Sequence, residues 1–234
     1  MANSKRTQRM RILAAILLFF CLLLPSLLQA HELTGTVQVI LKGDKPKTDL
    51  SSVLIYLTAD KDAARIPQSI LKKDYVMGMK DKQIRPKTMA VPVGALVTFP
   101  NLDPIFHNLF SVSVPNDFDM GLYKGGASKE KTFESPGVVR VFCNVHPQMS
   151  AIIVVTDTPY FTTTTKDGTF DLGDLPDGSF NLNAYAEEGQ SSQKIEIKDA
   201  PLKVNMTIDG RNFKKLPHKN KFGKDYTTDE NEHY

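Results

Sequence analysis

Three residues with metal-binding side chains lie close together in the segment V-F-C-N-V-H-P-Q-M: Cys143, His146 and Met149. A thiolate, an imidazole and a thioether are soft to borderline ligands of the kind that copper prefers. Two imidazoles and one thiolate in a trigonal plane, with a weak axial thioether, make a blue-copper electron-transfer site. The segment lacks a second imidazole, and His107 in N-L-D-P-I-F-H-N-L-F-S is the best candidate because it also lies where a loop leads into a predicted strand. These four residues therefore predict one copper site.

Three enzymatic interpretations of the same residues fit less well. A cysteine nucleophile needs a positioned base and an orienting partner, which a three-residue spacing to His146 does not supply. A multicopper oxidase or a copper nitrite reductase would place a His directly beside Cys143, but its neighbours are Phe142 and Asn144. A zinc site would rarely use Met149. The sequence therefore predicts a protein that is not an enzyme and has no catalytic residues.

The segments around these residues are predicted to be β-strands. Residues 138–155 contain two runs rich in Val and Ile on either side of the loop that carries the ligands. Periodicity alone does not separate a buried strand from a buried helix here, but the β-branched residues and the interrupting loop favour strands. Residues 33–41, 90–99 and 108–114 also have strand patterns, and the sequence shows no convincing helix and no repeat of fixed length. The chain is therefore predicted to be all-β, as a sandwich or a barrel.

Residues 1–30 have the pattern of an export signal. Four basic residues precede an apolar run at residues 12–28, and Ala30 is a small residue at a plausible cleavage site. An uncleaved membrane anchor is the alternative, because the apolar run is near the lower length limit for spanning a bilayer. Pro25 and Ala30 favour cleavage. We therefore expect a periplasmic or secreted protein with no membrane span once the leader is removed.

Removal of the leader changes the charge balance. The chain has 29 Lys+Arg and 26 Asp+Glu, and the leader takes four basic and no acidic residues, so 25 − 26 leaves about −1. A net charge near zero is not the basic charge that is typical of nucleic-acid-binding proteins. Cys143 becomes the single cysteine, and a lone thiol in an oxidising compartment cannot form a disulfide within its own chain. Its His and Met neighbours favour a chemical use.

Cleavage after Ala30 would also make His31 the first residue. An N-terminal His offers an amine and an imidazole to one copper ion, which would create a second site. The simpler interpretation is that the processing site happens to fall there, because no second clustered His lies nearby.

Several segments of the chain resemble the cupredoxins of the plastocyanin and amicyanin type. The matching pieces are V-P-V-G-A-L-V-T-F-P-N, the H-N after that loop, P-G-V-V-R-V-F-C and C-N-V-H-P-Q-M, and they lie within residues 83–156. The C-x2-H-x2-M spacing is that of the short ligand loop of amicyanin. Together with F-D-M-G-L-Y-K-G-G, the ligand segment is similar to exported proteins labelled methylamine-utilisation proteins. In those proteins a carboxypeptidase-regulatory-like β domain follows the cupredoxin domain.

The resemblance implies a Greek-key β-sandwich and a role for each ligand. His107 and His146 would bind through imidazole nitrogens, Cys143 as a thiolate and Met149 axially. Asn108 would connect the two ligand loops near the sulfur, a contact that fixes ligand orientation and tunes the reduction potential. The implied cofactor is one type 1 copper per chain.

The resemblance also implies that the protein carries single electrons between redox protein partners. These partners would dock on a small, transient patch around His146, the electron port. Pro147 would stiffen the loop beside that port. The alternative is an exported copper-binding protein that stores, delivers or scaffolds copper without carrying electrons.

The predicted domain order places a transthyretin-type β-sandwich after the cupredoxin domain. The predicted units are a signal peptide at residues 1–30, a cupredoxin domain at 31–157 with its core at 83–157, a carboxypeptidase-regulatory-like β domain at 158–209, and a disordered charged tail at 210–234. The strands at residues 33–57 could belong to either sheet system. Asp-Gly pairs at residues 167–168 and 177–178 predict hairpin turns, and the tail has too few apolar residues to pack.

Overall fold

The structure is a computed structural model that describes residues 31–59, 71, 73–198, 200–215 and 217–226. The described residues form 18 β-strands, which confirms the predicted all-β class. The strands are β1 (His31–Leu41), β2 (Lys45–Pro46), β3 (Leu54–Ala59), β4 (Tyr75–Val76), β5 (Gly78–Lys80), β6 (Gln83–Arg85), β7 (Thr88–Pro92), β8 (Leu96–Pro100), β9 (Leu109–Ser111), β10 (Phe118–Asp119), β11 (Ser128–Thr132), β12 (Gly137–Cys143), β13 (Ser150–Thr156), β14 (Phe161–Thr163), β15 (Thr169–Leu175), β16 (Gly178–Ala186), β17 (Gly189–Ile197) and β18 (Leu202–Asp209).

The first sandwich contains both predicted ligand segments. Its larger sheet has the strand order β10-β9-β12-β13-β7, and its smaller sheet has the order β11-β8-β4. Strands β5 and β6 form a separate two-stranded ribbon. Residues from both sheets, including Phe99, Val141 and Cys143, share one buried core. The thiol is therefore part of the core between the sheets.

The second sandwich combines the N-terminal strands with the C-terminal ones. Its sheets have the orders β15-β1-β18, with β2 beside β1, and β14-β3-β16-β17. The parallel pairing of β1 with β18 sets Val37 beside Met206 and Val39 beside Ile208, so the apolar positions of two alternating strands form one buried face. The strands at residues 33–57, whose membership the sequence left open, thus pair with strands of the second sandwich.

Strand β13 is buried on both faces, which explains why its sequence does not alternate. Ile153 belongs to the core of the first sandwich. Its neighbours Ile152 and Val154 pack in another cluster with Leu54 and Tyr185, which belong to strands of the second sandwich. The continuous apolar run S-A-I-I-V-V therefore has a physical cause, since the second sandwich covers the outer face of the first.

Two local predictions are wrong because the chain changes sheets at a turn. Residues 90–99 do not form one strand, since β7 and β8 lie in different sheets and Gly94 between them has a φ of 85°. The Asp-Gly pairs at 167–168 and 177–178 do not close hairpins, because β14, β15 and β16 pair with other strands. In both places a strong turn signal gave the position of the turn but not the partner of the strand.

Other predictions concern parts of the chain that the structure does not describe. The predicted export signal at residues 1–30 lies outside the described residues. The backbone of His31 begins β1, but its side chain is outside the description. Among the described residues, no helix has the length and apolar character needed to cross a membrane.

The close packing of β1 at Gly35 gives a stability prediction. A Cβ atom there would lie 2.1 Å from the carbonyl oxygen of Val204 and 2.5 Å from Cζ of Phe170. Gly35→Ala should therefore lower the free energy of unfolding by about 1–3 kcal/mol through overpacking, as measured by urea denaturation. Gly78→Ala is the matched control, because its nearest contact would be 3.6 Å away. Equal losses in the two variants would contradict this packing.

Candidate metal centre

The pairing of β9 with β12 brings the two ligand segments together. Leu109 lies opposite Cys143 in the antiparallel register. One step further, the backbone N–H of Asn144 donates to the carbonyl of Asn108 at 2.8 Å. His107, immediately before these residues, is thereby placed beside the loop that follows Cys143. Residues that are far apart in sequence become neighbours through this one strand pair.

The loop between β12 and β13 is held in place by its own backbone. The N–H of Met149 donates to the carbonyl of His146 at 3.0 Å, and the N–H of Cys143 donates to the carbonyl of Met149 at 3.1 Å. Met149 is fully buried in the same core as Cys143, and Pro147 is exposed. The predicted strand–loop–strand arrangement is what the structure has.

Three donor atoms converge in this loop region. The Sγ atom of Cys143 lies 3.7 Å from Nδ1 of His107 and 3.8 Å from Nδ1 of His146, and the two Nδ1 atoms are 3.1 Å apart. Donors at about 2.0–2.3 Å from one ion, at trigonal or tetrahedral angles, lie about 3.3–3.8 Å from each other. The triangle is therefore close to the size of a single-ion ligand set. His107, Cys143 and His146 are brought together, and Met149 lies in the same loop.

Asp103 is a site residue that sequence reasoning missed. Its Oδ2 atom lies 2.9 Å from Nε2 of His107, and its carboxylate also accepts the backbone N–H groups of Asp81 and Lys82 at 2.6 and 3.0 Å. Donation from Nε2 to this carboxylate leaves Nδ1 of His107 directed at Cys143. The only signal was a carboxylate four residues before the His, and that spacing means little in a loop of unknown shape.

The site favours the thiolate form of Cys143. Burial by itself would raise the pKa of this thiol, but hydrogen bonds from His107, His146 and two backbone N–H groups outweigh burial and lower the pKa to about 6. Burial would likewise lower the pKa of His107, but hydrogen bonds with Cys143 and Asp103 raise it overall. A thiolate is the form that binds metal ions, so the folded chain presents a ready ligand near neutral pH.

Described residues within 210–234, the segment predicted to be a disordered charged tail, contact the strand that carries Cys143. The ring of His218 stacks on Phe142, with centroids 4.1 Å apart and planes inclined by 24°. The hydroxyl of Tyr226 donates to the carbonyl of Cys143 at 2.7 Å. The sequence prediction counted charges and overlooked the aromatic side chains, which supply specific contacts even in a polar segment.

No protein-family model and no curated protein matches this chain. Solved structures similar to part of it include a copper-containing nitrite reductase from Thermus scotoductus SA-01, which is 28% identical over 36% of this chain and 22% of that one, with a TM-score of 0.34. A purple cupredoxin from Nitrosopumilus maritimus is 25% identical over 36% of this chain and 100% of that one, with a TM-score of 0.32. A reduced amicyanin variant is 20% identical over 43% of this chain and 98% of that one, with a TM-score of 0.34. TM-scores this low establish neither family nor function, so the residues of the site must carry the functional conclusion.

The lowered pKa of Cys143 can be tested in the metal-free protein. In a Cys21→Ser background, which leaves one thiol, Cys143 should titrate at a pH of about 6 in the folded chain and near its ordinary value of 9.0 in urea, as followed by the ultraviolet absorbance of the thiolate. His107→Phe should move the folded value upward, because it removes one hydrogen bond to the sulfur. A folded wild-type thiol that titrates like the unfolded one would contradict the described contacts.

Asp103→Asn should weaken the fold in a pH-dependent way. Burial would raise the pKa of Asp103, but hydrogen bonds from Lys82 and His107 outweigh it, so the folded pKa lies below 3.8. The carboxylate therefore contributes its full stabilisation above pH 3.8 and loses it as the pH falls through the lower folded pKa. At neutral pH the variant should lose about 1.5–3 kcal/mol of unfolding free energy, as is usual for hydrogen bonds to a charged group.

Urea denaturation of the metal-free wild type and of Asp103→Asn, at about pH 7 and at about pH 3, measures this effect. The difference in stability between the two proteins should shrink on acidification. A difference that is the same at both pH values would show that the charge of Asp103 does not act as described.

Proposed function

We propose that this chain is an exported electron carrier of the cupredoxin kind with one type 1 copper site. The observation that supports this most is the convergence of His107 Nδ1, Cys143 Sγ and His146 Nδ1 at separations of 3.1, 3.7 and 3.8 Å. Two imidazoles and one thiolate are the equatorial ligands of a blue-copper site. Copper bound there would supply one-electron chemistry between its Cu(I) and Cu(II) forms.

Met149 is proposed as the weak axial ligand. Its side chain is fully buried within the same core as Cys143. Its carbonyl accepts the N–H of Cys143 at 3.1 Å, which fixes the end of the loop relative to the thiol. Its thioether would be a fourth copper ligand, weaker than the thiolate and the two imidazoles.

The residues around the donors would keep the ligand geometry nearly unchanged during electron transfer. Asp103 fixes the ring of His107 through its 2.9 Å contact with Nε2. The carbonyl of Asn108 holds the start of the Cys143 loop at 2.8 Å, which supports its proposed role as the connection between the ligand loops. Ligands that are locked by their neighbours reorganise little, and this is what fast electron transfer requires.

His146 is proposed as the electron port. It is partly exposed, whereas His107 and Cys143 are completely buried, so its ring offers the shorter route to a partner. Leu102 and Phe106, on the loop before His107, are 60% and 39% exposed. Exposed apolar residues on the loop that leads to the other imidazole suit a small, transient docking patch for a redox protein.

Two further parts of the proposal rest on sequence alone. The periplasmic or secreted location depends on residues 1–30, which lie outside the described part of the chain. The likeness of the second sandwich to a carboxypeptidase-regulatory-like module also stays a prediction. Its four-stranded sheets are compatible with such a module, and β1–β3 would have to be counted with it.

The copper-loaded protein should show intense thiolate-to-Cu(II) absorption that bleaches on reduction and returns on oxidation. Cys143→Ser should abolish this colour because it removes the thiolate, and the far-ultraviolet circular dichroism should remain that of a β protein. Met149→Leu is the matched control in the same loop. It should keep the colour, since the axial ligand is only weakly bound.

Two results would overturn this assignment. Colour that persists in Cys143→Ser would contradict the proposed ligand. Tight Cu(I) binding without a reversible Cu(II) form would favour the storage or delivery of copper over electron transfer.

A further inference from the structure

Residues 217–226, which we call the strap, contact the end of the strand that carries the thiol. Three consecutive residues there each have a partner in the strap. The ring of His218 stacks on Phe142, with ring centroids 4.1 Å apart. The Tyr226 hydroxyl donates to the Cys143 carbonyl at 2.7 Å. The backbone N–H of Lys221 donates to Oδ1 of Asn144 at 3.0 Å. The strap is thus attached at the point where β12 leads into the ligand loop.

The strap also reaches the other ligand segment, through Asp119. The ammonium group of Lys221 lies 2.7 Å from Oδ2 of Asp119, and Oδ1 of Asp119 accepts from the side-chain amide of Asn108 at 2.7 Å. Asn108 in turn accepts the backbone N–H of Asn144 at 2.8 Å. These contacts form a closed ring of hydrogen bonds that ties the strap to the residue after His107 and to the residue after the thiol.

The strap has an internal turn that orients these contacts. Oδ1 of Asn220 accepts the backbone N–H groups of Phe222 and Lys224, each at 3.0 Å. The carbonyl of Asn220 accepts the N–H of Gly223 at 2.9 Å. Gly223 has a φ of 74°, a left-handed conformation that favours glycine. Lys221 therefore lies in a tight turn, with its N–H directed at Asn144 in the ligand loop and its ammonium group directed at Asp119 in β10.

The degree of exposure indicates which contacts hold the strap. The side chains of Lys221 and Asp119 are 24% and 45% exposed, and ion pairs with such exposure stabilise a protein only slightly. Tyr226 is less exposed than the loop tip, donates to the Cys143 carbonyl, and lies 3.1 Å from Nδ1 of His218. Tyr226 and His218 should therefore contribute most of the attachment.

We propose that the strap is a clamp that holds the Cys143 loop in its metal-binding arrangement and limits the local opening through which the thiol becomes accessible. Its purpose rests on the proposed copper function, but access to the sulfur can be measured without metal. Tyr226 is a positioning residue in this account, because it contacts the carbonyl of Cys143 rather than a metal-binding atom. The thiol lies in the core between the sheets and is completely buried, so it reacts only when its loop opens. A strap that holds the Cys143 carbonyl should make that opening rarer.

The test is the rate at which iodoacetamide alkylates Cys143 in the metal-free protein, read by peptide mass spectrometry so that Cys21 does not interfere. A chain truncated after Lys215 should react about tenfold faster than the full chain, because the loss of a few buried contacts lowers the cost of local opening by that scale. A chain truncated after Tyr226 is the matched control, because it keeps the strap. Circular dichroism verifies that each chain is folded.

Point variants keep the test decisive if the truncated chain does not fold. Tyr226→Phe retains the ring but loses the hydroxyl, so it should raise the alkylation rate of Cys143 several-fold and shift the charge-transfer band of the copper-loaded protein. Phe222→Leu, at a strap position that is 70% exposed, should change neither. An unchanged alkylation rate in Tyr226→Phe and in the folded truncated chain overturns the clamp. Failure to form a blue copper complex would refute the proposed function and leave the alkylation result valid.

Discussion

The pairing of β9 with β12 is the constraint on which the candidate metal centre depends. Leu109 lies opposite Cys143, and the Asn144 N–H to Asn108 carbonyl bond of 2.8 Å continues the pairing beyond the strands. This fixes His107 and the thiol at one end of one sheet, where the chain can close a short loop back to His146. The three metal-binding atoms, His107 Nδ1, Cys143 Sγ and His146 Nδ1, then lie 3.1 to 3.8 Å apart. Such an arrangement requires a shared proton or a metal ion between them. The hydrogen bond between the Cys143 and His107 side chains helps to lower the pKa of Cys143 and to raise the pKa of His107.

The rest of the fold supports this arrangement by making β12 and β13 rigid. β13 pairs with β12 on one edge and with β7 on the other, and it is covered on both faces by apolar residues of the two sandwiches. A strand buried on both faces opens rarely, because opening would expose apolar surface on both sides. The second sandwich thus supports the site through β13. The residues that cover β13 belong to β3 and β16, which are neighbours in one sheet of that sandwich.

The sequence was informative where chemistry and local pattern coincide. His107, Cys143 and His146 could be predicted because their side chains have few structural uses in combination and because each lies beside a strand signal. Asp103 could not be predicted, since its contact with His107 depends on the shape of an irregular loop. The pairing of β1 with β18, and the strap contacts at Phe142 and Cys143, join residues that are far apart in the chain. Local periodicity contains no information about such partners, and this is why the tail seemed featureless and the early strands had no assigned sheet.

X-ray absorption at the copper edge of the loaded protein tests the central claim most directly, because it reports the atoms around the ion whatever the protein's physiological role. The account predicts one sulfur and two imidazole nitrogens at about 2.0–2.3 Å, which correspond to Cys143, His107 and His146. A first shell made only of oxygen and nitrogen atoms, without a short copper–sulfur distance, would contradict it.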